Sequence, residues 1–284
     1  MGPGINFVVA MRQRYQTVST AAQPLLQKPA RDLTLEEAWV LIEYHVLSGQ
    51  MKLIDGFGKG NEDRVRVDTL IAEVQFMQQN DRGHTTRWGT GTPAKAPSFY
   101  PTPQFAIVLY RLAVWLKTRW GASTIVWGGI GGARDTGNCH VGGHCVDFYG
   151  ATTARGGVFD VARDWSSQPV YTKDGKLHPS EGNDPWGRDS KTYYRLLMTK
   201  DVEEREKTDS LYWNPRARDF FLDLFQFIAA ECNSSGDSPP SDMRGGAQLK
   251  YGVTKYPDYP EVDGRGGRRS HWDHVHFQLG KAFY

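Results

Sequence analysis

Cysteine is scarce in this chain of 284 residues, with only Cys139, Cys145 and Cys232 present. A disulfide framework is therefore not the main source of stability. Long apolar runs are also missing. No stretch approaches the roughly 18 apolar residues that a membrane-spanning helix needs, so no span is expected. Neither sign of charge is in excess, with 34 Lys and Arg against 32 Asp and Glu. That balance argues against a nucleic-acid binder. The opening MGPGINFVVAMRQRYQ has an apolar stretch, Ile5 to Met11, broken by Asn6 and preceded by no basic residue. Neither a secretory signal nor myristoylation is expected from it, and synthesis and folding in the cytoplasm are.

What is present is an ordinary globular composition, 39% hydrophobic and 12% aromatic, long enough for one large or two modest domains. Residues 1 to about 30 read as an irregular arm. Asp32 or Thr34 can cap a helix whose first turn carries Glu36 and Glu37, with Ala38, Leu41, Ile42, His45 and Val46 as its stripe. Val65 to Gln79 reads as a second helix, and Asn80 to Pro103 as a loop and boundary. Gln104 to Arg119 is the clearest helix, followed by the strand Ser123–Trp127 and a glycine-rich turn, Gly128 to Asn138. Strands are expected at 144–149 and 157–162, and helices near Lys191–Thr199 and from Pro215 to about Cys232. Asn233 to Ser270 reads as a long loop of the kind that walls substrate clefts. The expected class is α+β: a small antiparallel sheet flanked by helices, with a mostly helical region at 1–100 and a second domain at 101–284 that carries an insertion at about 165–265.

Five of the eight histidines fall into two windows, Asn138-Cys-His140-Val-Gly-Gly-His144-Cys-Val-Asp147-Phe-Tyr149 and Ser270-His271-Trp-Asp-His274-Val-His276-Phe-Gln-Leu279. Alternation along a strand puts His274, His276 and Gln278 on one face and Val275, Phe277 and Leu279 on the other. Likewise it opposes Cys145 and Asp147 to Val146 and Phe148. Each strand thus offers an apolar face to a core and a ligand face to a cleft. His140, Asp147 and a histidine of the closing run make a three-ligand set suited to zinc, leaving a fourth position for water. His144 points away from Asp147 on parity and is not counted as a ligand.

The pattern His140-x-x-Gly143-x-x-x-Asp147, with His274-x-His276 far downstream and Arg134 shortly before the first histidine, resembles the LAS metallopeptidases. That group includes lysostaphin-type enzymes, D-Ala-D-Ala peptidases and penicillin-insensitive murein endopeptidases, and the triple His271-x-x-His274-x-His276 is most similar to the last. The resemblance covers roughly residues 101–150 and 265–280. It implies that His140, Asp147 and His276 hold zinc, that His274 acts as base or stabilises the tetrahedral intermediate, and that Arg134 binds a substrate carboxylate or supports the oxyanion. In the alternative register His274 is the ligand and His271 the base. The implied substrate is a peptidoglycan stem or crosslink peptide. With no signal, the enzyme is expected to reach the wall or periplasm through lysis or through a secretion or contractile injection machine, in which case residues 1–100 would dock or load it and an immunity protein would be a partner.

The same residues admit other readings. Cys139, His140, His144 and Cys145 as a self-contained zinc knot lack the usual cysteine spacing and leave the second window unexplained. Cys139 and Cys145 can instead pair as a disulfide after export. Gly129-Ile-Gly131-Gly132-Ala-Arg134 fails as a dinucleotide loop because Arg134 stands where the last glycine belongs. Arg265-Gly-Gly-Arg268-Arg269 reads as a solvated loop or as a cationic rim in which Arg268 meets an anionic substrate, and Trp272 as a cleft wall. Two rival functions remain: a catalytically silent zinc-stabilised binding module on the same fold, and a metallopeptidase acting on a non-wall peptide.

Overall fold

The computed structural model describes residues 3–55, 64–78, 100–128, 139–164, 167–169, 194–196, 215–232, 254–255 and 274–279. Helix α1 (Pro3–Ala22) stands where an irregular arm was expected. Its own pattern is weakly amphipathic, and its partners explain the helix: Val18 and Ala22 are buried, and Arg14 forks onto the Glu43 carboxylate at 2.5 and 2.7 Å. Tertiary packing, not propensity, stabilises such a segment. Helix α2 (Leu35–Leu47) starts with a capping box, in which Thr34 Oγ1 accepts from the Glu37 N–H and the Glu37 carboxylate accepts from the Thr34 N–H. The buried face of α2 is Ala38, Leu41, Ile42 and His45, as its stripe predicts.

Within the expected helix Val65–Gln79, the described residues 65–78 correct the sequence reading. They form no helix but strands β2 (Arg66–Val67), β3 (Leu70–Ile71) and β4 (Val74–Gln78), with β1 (Leu53–Asp55) pairing β2. Burial of Val65 and Val67, and then of Val74 and Phe76, follows a period of two. The β3–β4 hairpin turns on Ala72 and Glu73, at φ 49° and 65°. Two-residue hairpins of this kind normally announce themselves with Asn or Gly. Here neither is present, so the turn was invisible and the run read as helical.

Helix α3 (Pro103–Trp120) is capped by Thr102, with Pro103 at its first position, and buries Phe105 to Leu109, Leu112, Ala113 and Leu116. It crosses from β4 to the parallel strand β5 (Ala122–Gly128). A one-turn helix α4 (Cys139–Gly142) leads into β6 (Cys145–Thr153), which pairs with β5, with β7 (Val158–Asp160) and with the closing strand. A short helix α5 (Val161–Asp164) and the pair β8 (Ser167–Pro169) and β9 (Tyr194–Leu196) follow. Residues 194–196 are thus strand where a helix was expected. Helix α6 (Pro215–Glu231) lies where its proline predicts, and β10 (Thr254–Lys255) flanks β11 (Val275–Gln278).

The main sheet runs β10, β11, β6, β5, β4, β3, with β7 also on β6. The fold is α+β with a helical N-terminal region, but the sheet is mixed, since β4 and β5 are parallel. Sheet and core both run across residue 100: one cluster joins Leu41 and Phe76 to Phe105, Phe148, Phe220 and Phe277. Arg111 of α3 secures the periphery. It donates to the carbonyls of Leu25, Leu26 and Lys28 and to Glu231 of α6 at 2.8 Å, so a largely buried ion pair has its hydrogen-bonding groups well used.

His45 makes folding sensitive to acid. Its ring stacks on Tyr110 with centroids 3.7 Å apart, it is 5% exposed, and its Nδ1 has no hydrogen-bond partner. Burial, with a smaller push from Arg111, lowers its pKa from 6.5 to about 4. Above pH 6.5 the imidazole is neutral in folded and unfolded chains alike, and its contribution is at a plateau. Below 6.5 the unfolded chain takes up the proton first, so stability falls until about pH 4, by about 3 kcal/mol in all. Urea unfolding at pH 7.5, 5.5 and 4 should show this slope, and His45→Phe should flatten it. An equal slope in the variant would assign the acid sensitivity to other groups.

Candidate metal centre

Register decides what the two histidine windows can do. His276 of β11 pairs directly with Asp147 of β6, and Gln278 with Cys145. The core-facing residues alternate with these: Val146, Phe148, Val275 and Phe277 are all buried in the main cluster. A β-bulge then re-aims the strand. Val126 pairs with Gly150 and Trp127 with Phe148, which leaves Tyr149 as the extra residue. Beyond it the core-facing parity shifts to Ala151. Tyr149 lies against His274, ring centroids 5.1 Å apart.

Glycines hold the first window in place. Gly143 has φ +70°, and a Cβ there would sit 2.5 Å from the Tyr100 carbonyl oxygen. Its N–H donates to the His140 carbonyl, and its own carbonyl accepts from the Thr102 N–H at 2.7 Å. The turn bearing His140 is thereby fastened to the cap of α3. On β5, Gly128 pairs with Asp147, and a Cβ there would meet the Asp147 Cβ at 2.9 Å and Tyr149 Cε2 at 3.0 Å. The spacing His-x-x-Gly-x-x-x-Asp thus has a local cause on each side.

Three imidazoles surround the Asp147 carboxylate. His140 Nε2 is 3.4 Å from Oδ2, His274 Nε2 is 3.5 Å from Oδ1, and His276 Nδ1 is 2.8 Å from Oδ1. With the carboxylate ionised, His276 donates that last hydrogen bond. The rings of His140 and His276 meet edge-on, centroids 5.2 Å apart at 73°. His274 and His276 are 8% and 7% exposed. Burial by itself pushes the Asp147 carboxyl up. His274, the His276 hydrogen bond and His140 overcome that and hold it well below the usual carboxylate range. Asp147 is therefore an anion at every ordinary pH. The pKa of His144 is lowered, first by burial, which outweighs a backbone hydrogen bond at Gly142 that raises it, and then by electrostatic interaction with Arg64, His140 and His276.

A metal ion fits this arrangement. Ligand bonds of about 2.1 Å put neighbouring donors of a tetrahedral site about 3.4 Å apart. The Asp147–His140 and Asp147–His274 separations match that edge, and a cation at His276 Nδ1 would replace the proton there. The ligand atoms of His140, Cys145 and His276 also lie within 4.8 Å of one another, so this group can hold a metal ion. Cys145, however, is disulfide-bonded, and its sulfur is no thiolate in that form. Asp147 is the anionic donor that remains. One further polar group faces the same way: the Nε2 of Gln278, 5% exposed and opposite Cys145, has no hydrogen-bond partner.

The structure thus brings together His140, Asp147, His274 and His276. His271, Arg134, Trp272 and Arg268 lie outside the described residues. The sequence reading missed three participants, and it put Cys145 on the ligand face without counting it as a ligand. Tyr149 shares the parity of Asp147 and was open to the same argument. Gly128 and Arg64 were not, since only pairing across β5 and packing against Gly143, 3.3 Å from Arg64 Nη1 to a Cβ there, reveal them. Burial lowers the pKa of that guanidinium.

Gly128→Ala should displace the carboxylate or the Tyr149 ring and weaken zinc binding by roughly 10–100-fold, as disturbing the support of a ligand does. Calorimetric zinc titration measures this directly, and unchanged affinity would mean that Gly128 does not position Asp147. No family model, curated protein or solved structure matches the chain, so the geometry of this centre carries the functional reading.

Proposed function

We propose that the protein is a zinc-dependent peptidase of peptidoglycan, cutting an amide bond in stem or crosslink peptides. The observation that carries the reading is the convergence of His140, His274 and His276 on the ionised Asp147. The histidine and carboxylate donors suit zinc, and the resemblance of the two motifs to LAS metallopeptidases supports the substrate class. Zinc, when bound, supplies Lewis acidity, polarising a carbonyl and acidifying water toward a pKa of about 7.

The chain's own residues do the rest. His140, Asp147 and His276 hold the ion; the grouping of His140 with His276 supports this register. His274 takes up a proton at Nε2 and passes it to the leaving amine, while the Asp147 oxygen 3.5 Å away stabilises its cationic form. The Tyr149 ring steadies the His274 imidazole. Arg134 would meet the substrate carboxylate or the oxyanion. Delivery by lysis or by an injection machine, and an immunity partner, belong to the same proposal.

One observation favours a second reading. His274 and His276 are nearly closed to solvent, which suits a zinc-stabilised binding module. Incubating the zinc-loaded protein with purified peptidoglycan, followed by mass spectrometry of fragments, separates the two. New amine termini are expected, and they should disappear in His140→Ala. Zinc bound with no products favours the binding module. Within the site, His276→Ala should lose zinc while His274→Ala keeps it and loses at least roughly 100-fold in turnover. The opposite pattern, zinc lost only in His274→Ala, would exchange the roles of the two histidines.

A further inference from the structure

Cys145 and Asp147 are two residues apart on β6 and face β11 from the same side, opposite Gln278 and His276. The Cys145 sulfur lies within 4.8 Å of ligand nitrogens of both His140 and His276, and the residue is fully buried. It is also disulfide-bonded, in a sequence whose other cysteines are Cys139 and the free, buried Cys232. A sulfur held in a disulfide has no thiolate charge to offer a metal, whereas a reduced one does.

We propose that Cys145 is a redox-gated fourth ligand of the His140–Asp147–His276 centre. With the disulfide intact, the ion has three protein ligands and one position open to water or substrate. After reduction, the Cys145 thiolate occupies that position, and the site becomes the closed, four-ligand kind that is structural and not catalytic. The step balances with an external dithiol as reductant. The dithiol gives two electrons and two protons and ends as a disulfide; the protein S–S bond breaks to two thiols. Cys145 then coordinates as the thiolate, its proton passing to solvent. The required movement is small. A nitrogen–sulfur edge in such a site is about 3.6 Å, and the sulfur already lies within 4.8 Å of the His140 and His276 nitrogens.

The consequence is a centre that is shut in a reducing compartment and opens in an oxidising one. The enzyme would be inert where it is made and active at the wall. This inference rests on the metal-binding part of the proposed function and not on the substrate.

Cobalt(II) reports the outcome without any assay of activity, because thiolate ligation adds a charge-transfer absorption in the near ultraviolet that His and Asp ligands lack. The full chain is loaded with cobalt in three forms: oxidised, reduced with a dithiol and then desalted anaerobically, and Cys139→Ser, which needs no reductant to reach a buried sulfur. The band should be absent from the oxidised protein and present in the other two. Cobalt affinity should rise at least roughly tenfold on reduction. Cys145→Ser should show neither effect in any redox state. Cobalt bound by the histidines without a thiolate band in the reduced wild type overturns the inference and leaves the metal centre standing. No cobalt bound in any form overturns both. If Cys139→Ser does not fold, the reduced wild type decides alone.

Discussion

An ionised carboxylate inside a protein needs positive charge or hydrogen bonds around it, and at Asp147 three imidazoles supply them. Much of the molecule can be read as the means of keeping that arrangement in place. The pairing of β11 with β6 brings His276 across from Asp147. The bulge at Tyr149 puts a ring against His274 without turning Phe148 out of the core. Gly128 clears the space on one side, and Gly143 locks the His140 turn to the cap of α3 on the other. The three imidazoles meet the carboxylate through their ring nitrogens. A divalent cation among the four groups would balance the carboxylate's charge, as Arg111 balances Glu231 elsewhere in the fold.

The apolar half of the sheet gives this cluster a rigid base. Phe277 packs near Phe105, and Phe148 stacks over Phe220, which itself lies flat on Phe159 at 4.2 Å. Side chains that alternate between this core and the ligand face leave no freedom for register slip, because a shift of one residue would bury His276 in the core and expose Phe277. The energy that fixes the ligands is therefore hydrophobic, although the ligands are polar. The N-terminal strands share in it, since β4 extends the same sheet through its parallel pairing with β5.

Alternation is also why so much of the site was legible in the sequence. His274, His276, Cys145 and Asp147 could be assigned to one face before any coordinates, and helices α2, α3 and α6 were marked by Thr34, by Pro103 with a long apolar face, and by Pro215. What escaped did so for physical reasons. The β3–β4 hairpin turns on Ala72 and Glu73 in left-handed conformations that those residue types do not advertise. Helix α1 depends on partners such as Glu43, which lie far along the chain. The roles of Gly128 and of the bulge exist only once β5 and β6 are paired. Periodicity reports the face of an element and says nothing of what crosses the sheet to meet it.

The central claim is that one ion sits among these side chains. Crystals of the zinc-loaded protein, measured on either side of the zinc absorption edge, test it most directly. The account predicts a single strong anomalous peak about 2.0–2.2 Å from His140 Nε2, an Asp147 carboxylate oxygen and His276 Nδ1. A zinc-loaded crystal with no peak among these residues, or with its peak at other ligands, would contradict it.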